Sequence, residues 1–437
     1  MEDCDKKYPR LFGSSVSLAN CLVIVGSPAI GHRGKVYTYY LKSPIKKVAF
    51  DPICAFGGHD DDGFGISCKL IHVGGKKYYT IIGAHRTYES GISVGAAYIF
   101  STQNEGASWV QDKKLLPPVS LNRGYFGCSV DLIPGTCIVG SYGDNTQGLR
   151  SGSVHIYVNS TMSNPDGWFL AHSIYPNQTF RSYQPSDCDI PGTYVNGYFG
   201  FSVSIQDNYA VVGAPSEEKG SAFVFYSNSR WVDYVDDTKI IYSRELANMR
   251  SNRFGFHVST EGNRILVGAP GRDGINGTAK LFDLNMYVMH PNYTLNIPTT
   301  EIITGKEFTT QSLSSRSLFG RSTCIRGDHL LVSGHGRTCE GKHIGSVFLF
   351  NETSNNDTDD TICPRACLRD KLSLELFGHD VDMSDRYIII GDPSKDLVHV
   401  YDSIRLKANH VIKRWFASEL KLFMPDFFSY SVNIHDH

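Results

Sequence analysis

The sequence has no apolar run near the roughly 20 residues that a helix needs to cross a bilayer, so no membrane-spanning segment is expected. It has almost no net charge, with 42 basic and 44 acidic residues leaving a formal −2. No stretch interleaves basic with aromatic residues, and no global field draws the chain toward nucleic acid. The first ten residues, "MEDCDKKYPR", lack the apolar core of a secretory leader. Helical periodicity of useful length is missing. So is any pair of carboxylates in a recognisable catalytic setting.

What is present points to a large β protein. Of the 437 residues, 41 % are hydrophobic and 12 % aromatic, enough for a substantial core. The 11 cysteines are many for a reducing compartment, and their odd number leaves at least one thiol unpaired or shared between chains. Asn159, Asn177, Asn276, Asn292, Asn351 and Asn356 each open an N-x-[ST] acceptor triplet. Together these features predict an extracellular or cell-surface glycoprotein. The charged N-terminus keeps a cytoplasmic protein as the alternative.

The organisation is a repeat. Phe-Gly recurs at Phe12, Phe64, Phe126, Phe199, Phe254, Phe319 and Phe377, each time followed by an alternating run such as "SVSL" or "SVSI". An aliphatic run ending in Gly comes next, as in "LVIVGSP" and "YAVVGAP". A third segment opens on a small residue and ends in aromatics ("GSVHIYV", "GSAFVFY"), except in the last repeat, where Asp396 takes the small residue's place. A looser fourth segment begins at Trp109, Trp168, Trp231 and Trp415. Period-two alternation with β-branched and aromatic residues predicts strands throughout.

Four short antiparallel strands repeated seven times bury both their faces only if each small sheet stacks on the next and the series closes on itself. The expected fold is therefore all-β, a seven-bladed β-propeller of four-stranded antiparallel blades. Residues 1–10 form a tail. The propeller spans 11–425, with repeats starting near 11, 63, 125, 198, 253, 318 and 376. Residues 426–437 read as a surplus strand that docks at the seam between the first and last blades. The Gly of Phe-Gly is expected to let the inner strand crowd its neighbours, and the Gly ending the second segment to serve the turn after it. Val130 to Gly140, Val203 to Gly213 and Val258 to Gly268 are each ten apart, which predicts one hairpin with one turn length. The triplet Arg326-Gly327-Asp328 then falls in such a turn. Pro134-Gly135 places Cys137 opposite Leu132, out of disulfide reach of Cys128.

The Phe-Gly and Gly-Ala-Pro signatures resemble FG-GAP repeats, the units of the integrin α-subunit propeller. That resemblance implies a non-enzymatic protein of adhesion or recognition, with room for a partner subunit. Members of that type often bind calcium in a loop between strands 1 and 2, but the ten-residue interval leaves no room for it here. No cofactor is expected; calcium at Asp60, Asp61 and Asp62 is the alternative to a solvated loop.

Strand alternation sends connections 2–3 and 4–1 to one face, which in integrin-like propellers meets partner and ligand. A protein or glycan ligand is expected there, at Arg86, Tyr88, Tyr142, Arg150, Phe180, Tyr183, Arg272 and Arg337. An intracellular interaction scaffold is the alternative, and the non-catalytic part of a hydrolase a weaker one. "GISVG" (residues 91–95) matches a nucleophile pattern, but a strand rather than a helix should follow Ser93. Cys363 and Cys367 are the best disulfide pair.

Overall fold

The structure, a computed structural model, describes residues 11–29, 33–42, 46–56, 58–159, 167–176, 197–215, 220–227, 231, 239–242, 253–271, 277–283, 306–308, 318–337, 343–351, 366–369, 376–403 and 408–413. Seven four-stranded antiparallel sheets are present, each made from one continuous stretch of chain, and they form a seven-bladed β-propeller. The innermost strands are Ser15–Ala19, Phe64–Gly74, Ser129–Ile133, Ser202–Gln206, His257–Glu261, Thr323–Arg326 and Val381–Met383. No helix among the described residues is long and apolar enough to cross a membrane.

The constant interval is a constant hairpin. Ala19 faces Leu22, Ile133 faces Thr136, Gln206 faces Tyr209, Glu261 faces Arg264, and Arg326 faces His329, so each turn has two residues. Positive φ at Asn20, Asp207, Gly262 and Gly327 provides the twist that such turns require. Leu132 pairs with Cys137 as expected, and both Cys128 and Cys137 are free thiols. Blade 2 is the exception. Its extra residues lengthen the ladder itself, pairing Ile71 with Tyr79 and His72 with Tyr78 beyond a bulge.

The repeated Phe is the packing unit between blades. Each of the seven seams holds one hydrophobic cluster, and each cluster contains the Phe-Gly phenylalanine of one blade. These rings are essentially fully buried. They meet the aromatic end of their own blade's third strand edge-on, as Phe199 meets Phe223 at 5.4 Å and Phe319 meets Phe348 at 5.5 Å. That contact explains why the third segment ends in aromatics.

The glycine that ends the second strand does a different job from the one expected of it. A Cβ at Gly140 would lie 2.0 Å from the carbonyl oxygen of Gly200 in the next blade, and Gly83, Gly213 and Gly268 repeat this approach. The residue clears space for the neighbouring Phe-Gly backbone rather than forming a turn. The Gly opening the third strand is likewise pressed against the next phenylalanine: Gly152 bridges Phe199 in parallel. In blade 7, Asp396 adopts φ 54° and its carboxylate accepts the Phe12 N–H at 2.9 Å. The side chain replaces the carbonyl that the other blades offer, as Ser151 offers its own to Phe199 N–H.

Blades 7 and 1 close the ring directly. Asp380 accepts the N–H of Val16, and Asp382 accepts the N–H of Leu18 and the hydroxyl of Ser17. The imidazole of His379 donates from Nδ1 to the Ser14 carbonyl. The surplus strand expected at 426–437 lies outside the described residues. The fourth strand of blade 7 is corrected: it runs Ala408–Lys413, before Trp415, because that run pairs antiparallel with Leu397–Tyr401, with one bulge between Val400 and Tyr401. In blade 4 the outer strand is Lys239–Tyr242, inside the expected fourth segment at 231–243, and Trp231 at that segment's start is fully buried in the seam between blades 3 and 4.

Candidate functional site

Two features of the ring concentrate polar chemistry. The first is the axial channel, a cavity of about 720 Å³ lined by the inner strands of all seven blades. Counting from the phenylalanine, the third residue onward is Ser15, Ser67, Ser129 and Ser202 in the first four blades. Each hydroxyl donates to the Phe-Gly carbonyl of the next blade at 2.8–3.0 Å. The fifth residue caps a backbone N–H of the next blade: Ser17 accepts from Leu70, Asp131 from Ile205 and Asp382 from Leu18. Lys69 lies 3.8 Å from Asp131, whose carboxylate holds the ammonium above the ordinary lysine range. Burial pushes Asp380 up to about 6. These groups satisfy one another and tie neighbouring blades together. Sequence reasoning missed them, although the polar residue at the fifth place of six of the seven repeats, with Cys324 the exception, was a visible signal.

The second feature is the face carrying connections 2–3 and 4–1. Tyr125 stacks on Tyr142 at 5.0 Å, and Tyr142 meets Tyr198 at 6.1 Å and Phe201 at 5.6 Å. Phe201 packs on Phe256, over which the guanidinium of Arg321 sits at 5.4 Å. Arg321 in turn donates to Nε2 of His379 at 3.1 Å. Burial, with the Cys128 thiol second, raises the Tyr142 phenol, so it stays neutral. Arg86 and Arg150 both lie near enough to Tyr142 to act on it electrostatically.

The loops presenting these residues are held internally. In blade 3 the buried Asp144 accepts Ser153 Oγ at 2.6 Å and Thr146 N–H at 2.7 Å, while its own carbonyl takes Gly152 N–H. Asn145 accepts Arg150 N–H, and Arg150 is set at φ 50°, with its guanidinium 3.4 Å from the Tyr198 hydroxyl. In blade 2 a two-residue hairpin pairs Tyr88 with Ser93, and Lys114 pairs with Glu89 beneath it. Ser93 is part of this hairpin and its hydroxyl reaches the Arg86 carbonyl. No helix follows it, so it has no nucleophile-elbow context.

Four of the eight residues expected to bind therefore have described side chains. Arg86, Tyr142 and Arg150 converge, and Tyr88, 50 % exposed, stands on the adjacent hairpin. Arg337 lies in the strand His329–Arg337, with its side chain outside the description. Phe180, Tyr183 and Arg272 lie outside the described residues. Sequence reasoning missed Arg123, whose backbone joins Ser93 to this patch, and the partners Tyr125 and Tyr198.

Among the remaining candidates, Asn159 is only 2 % exposed, an environment that leaves no room for a glycan. Asn351 is half-buried at the end of a strand. Asn177, Asn276, Asn292 and Asn356 lie outside the described residues, as does Cys363, the proposed partner of Cys367. The acidic run has one buried member, Asp62, whose carboxylate accepts His59 N–H; Asp60 is exposed beside Arg33. The triplet at residues 326–328 is a tight turn. Arg326 donates to Asp385 at 2.8 Å, and Gly327 N–H donates to Glu261 at 2.7 Å.

The fold and repeat define a class, the seven-bladed β-propeller with Phe-Gly seams. The FG-GAP repeat profile matches residues 109–157 and 194–225, and together with the seven-bladed fold this match supports an FG-GAP β-propeller protein. No curated protein sequence matches it. Among solved structures it resembles Hsv2 of Kluyveromyces lactis, with 12 % identity and a TM-score of 0.50, covering 93 % of this chain and 99 % of that one. It also resembles a puromycin hydrolase S511A mutant complexed with PGG, with 10 % identity and a TM-score of 0.50, covering 90 % of this chain and 52 % of that one. At such identities these likenesses speak for the fold alone.

Proposed function

We propose that the protein is a non-enzymatic recognition propeller of integrin-α-like type that binds a protein or glycan at the face formed by connections 2–3 and 4–1. The observation that carries this is one aromatic platform built by the 2–3 connections of blades 2 and 3: His85, beside Arg86, meets Tyr125, Tyr125 stacks on Tyr142, and Arg150 reaches the Tyr198 hydroxyl. Tyr and Arg are the side chains that most often dominate interface energy, and internally bonded loops bind with less ordering cost. A pull-down from the native source tests it. Partner recovery should fall sharply for the Arg86→Glu, Tyr142→Ala double variant, and equal recovery would reject this face.

The proposed setting is extracellular or cell-surface, with adhesion as the role. An intracellular scaffold is the second reading. It is favoured by the buried Asn159 and by free thiols at Cys21, Cys54, Cys68, Cys128, Cys137 and Cys324. Glycan occupancy at Asn351 separates the two: an unmodified Asn351 in protein from the native source favours the scaffold.

A further inference from the structure

The arginines over blades 2 and 3 stand in a different setting from those on the side of the 1–2 turns and from Arg33, which lies beside Asp60. On the side of the 1–2 turns, Arg264 and Arg326 are engaged by Glu261 and Asp385. On the opposite side, Arg86, Arg123 and Arg150 are exposed, and none has a carboxylate partner among the described residues. The carboxylates nearest in sequence are already committed: Asp144 is buried inside its loop and Glu89 is paired with Lys114. The Tyr125–Tyr142 stack links their loops: Arg123 is two residues from Tyr125, His85 next to Arg86 meets Tyr125 at 5.8 Å, and Arg150 reaches Tyr198, which meets Tyr142; Ile92 and Leu149 on the same loops are 38 % and 59 % exposed.

We infer that this sector, over blades 2 to 4, docks an acidic polypeptide segment that carries aliphatic residues between its carboxylates. Arginine presents a planar fork that fits a carboxylate with two parallel hydrogen bonds. An unneutralised arginine cluster on a preformed surface is therefore complementary to Asp and Glu, and like charge repels a basic partner. Ile92 and Leu149 favour a polypeptide over an anionic glycan, because a sugar chain offers few aliphatic groups to cover them. The inference rests on the binding face proposed above and adds the chemistry of the partner.

The test is a selection of short random peptides displayed on phage against the full chain. Binding of the selected peptides is then measured on the parent, on Arg86→Glu/Arg123→Glu/Arg150→Glu, on the matching Arg→Gln triple variant, and on Ile92→Arg/Leu149→Arg. Circular dichroism verifies that each variant is folded. The expected result is enrichment of Asp and Glu with interspersed aliphatics, affinity lowered roughly tenfold or more by both triple variants, and weakening with added salt. Lys-for-acid versions of the peptides should bind the Arg→Glu variant better than the parent. Acid-poor peptides lost only on Ile92→Arg/Leu149→Arg would overturn the acidic partner while leaving the face intact. Peptides indifferent to every variant would reject both. Selection of no peptide, with an arginine-dependent response to a heparin oligosaccharide, would overturn the polypeptide class.

Discussion

The two faces of this ring are built from the same repeat and end in opposite chemistry. On one side the 1–2 connections are two residues long, and their charged groups turn inward or onto one another, as Arg326, Glu261 and Asp385 do. On the 2–3/4–1 side the connections over blades 2 and 3 are longer and bonded within themselves, and they present Arg86, Arg123 and Arg150 with tyrosines beside them and no carboxylate partner among the described residues. Of the nine exposed large hydrophobic residues among the described residues, only Val110 and Phe169 lie outside connections 2–3 and 4–1. The difference shows that a propeller's ladder dictates one face, where turn length is pinned by register, and frees the other for recognition.

The comparison can be broken most forcefully from inside the channel. Asp131→Ala removes the acceptor for Ser204 Oγ and Ile205 N–H and leaves Lys69 without its counter-charge. It should cost about 3 kcal/mol in denaturant unfolding while leaving ligand affinity unchanged. A loss of binding with normal stability would show that the channel takes part in recognition.

Acid should act next, and on the recognition side. Burial holds His85, His155, His257 and His379 down to about 4. The unfolded chain takes up these protons near pH 6.5, so this stability is complete above 6.5 and is lost as pH falls toward 4. Asp380, raised to about 6, works in the other direction, since its burial penalty is relieved below pH 6. His172 is lowered as well, and Asp62 and Asp112 are raised like Asp380; with the four histidines near 4 shifted furthest, the melting temperature is expected to be lower at pH 5 than at pH 7. All four histidines lie toward the 2–3/4–1 ends of their strands, so hydrogen exchange should quicken there first. A melting temperature that rises between pH 7 and 5 would contradict this.

A smaller effect sharpens the contrast between loops. Asp144→Ala removes the acceptor of Thr146 N–H and of Ser153 Oγ, leaving that hydroxyl only His155 Nε2, which should cost about 2 kcal/mol. It should also weaken binding by loosening Arg150. Smallest of all, Arg326→Ala breaks a half-exposed ion pair, worth at most about 1 kcal/mol, with no change in binding. Adhesion that depended on Arg326 would restore the triplet as a ligand.

Much of the fold was legible. Seven phenylalanines with a fixed hairpin interval predicted seven blades, the two-residue turns, and Cys137 opposite Leu132. The Trp-led fourth segments held for blades 2, 3 and 4, where Val110–Leu115, Phe169–Ile174 and Lys239–Tyr242 are strands; in blade 7, where alternation at the solvent-facing outer edge is weak, Ala408–Lys413 rather than the segment at Trp415 pairs with the third strand. Of the site, Arg86, Tyr142 and Arg150 were visible as loop residues of the right type. Arg123 was not, because nothing local distinguishes an arginine in a 4–1 connection from any other solvated side chain.

Taken alone, the order of residues determined the repeat unit, its strand alternation and its hairpin register. These depend on side-chain period and turn length within about twenty neighbouring positions. The tertiary structure decided which glycines meet a neighbouring blade, how Asp380, Asp382 and Asp396 close the ring onto the first blade, and which arginines gather around Tyr142. Those contacts join residues tens to hundreds of positions apart, and their geometry comes from how rigid sheets stack around an axis.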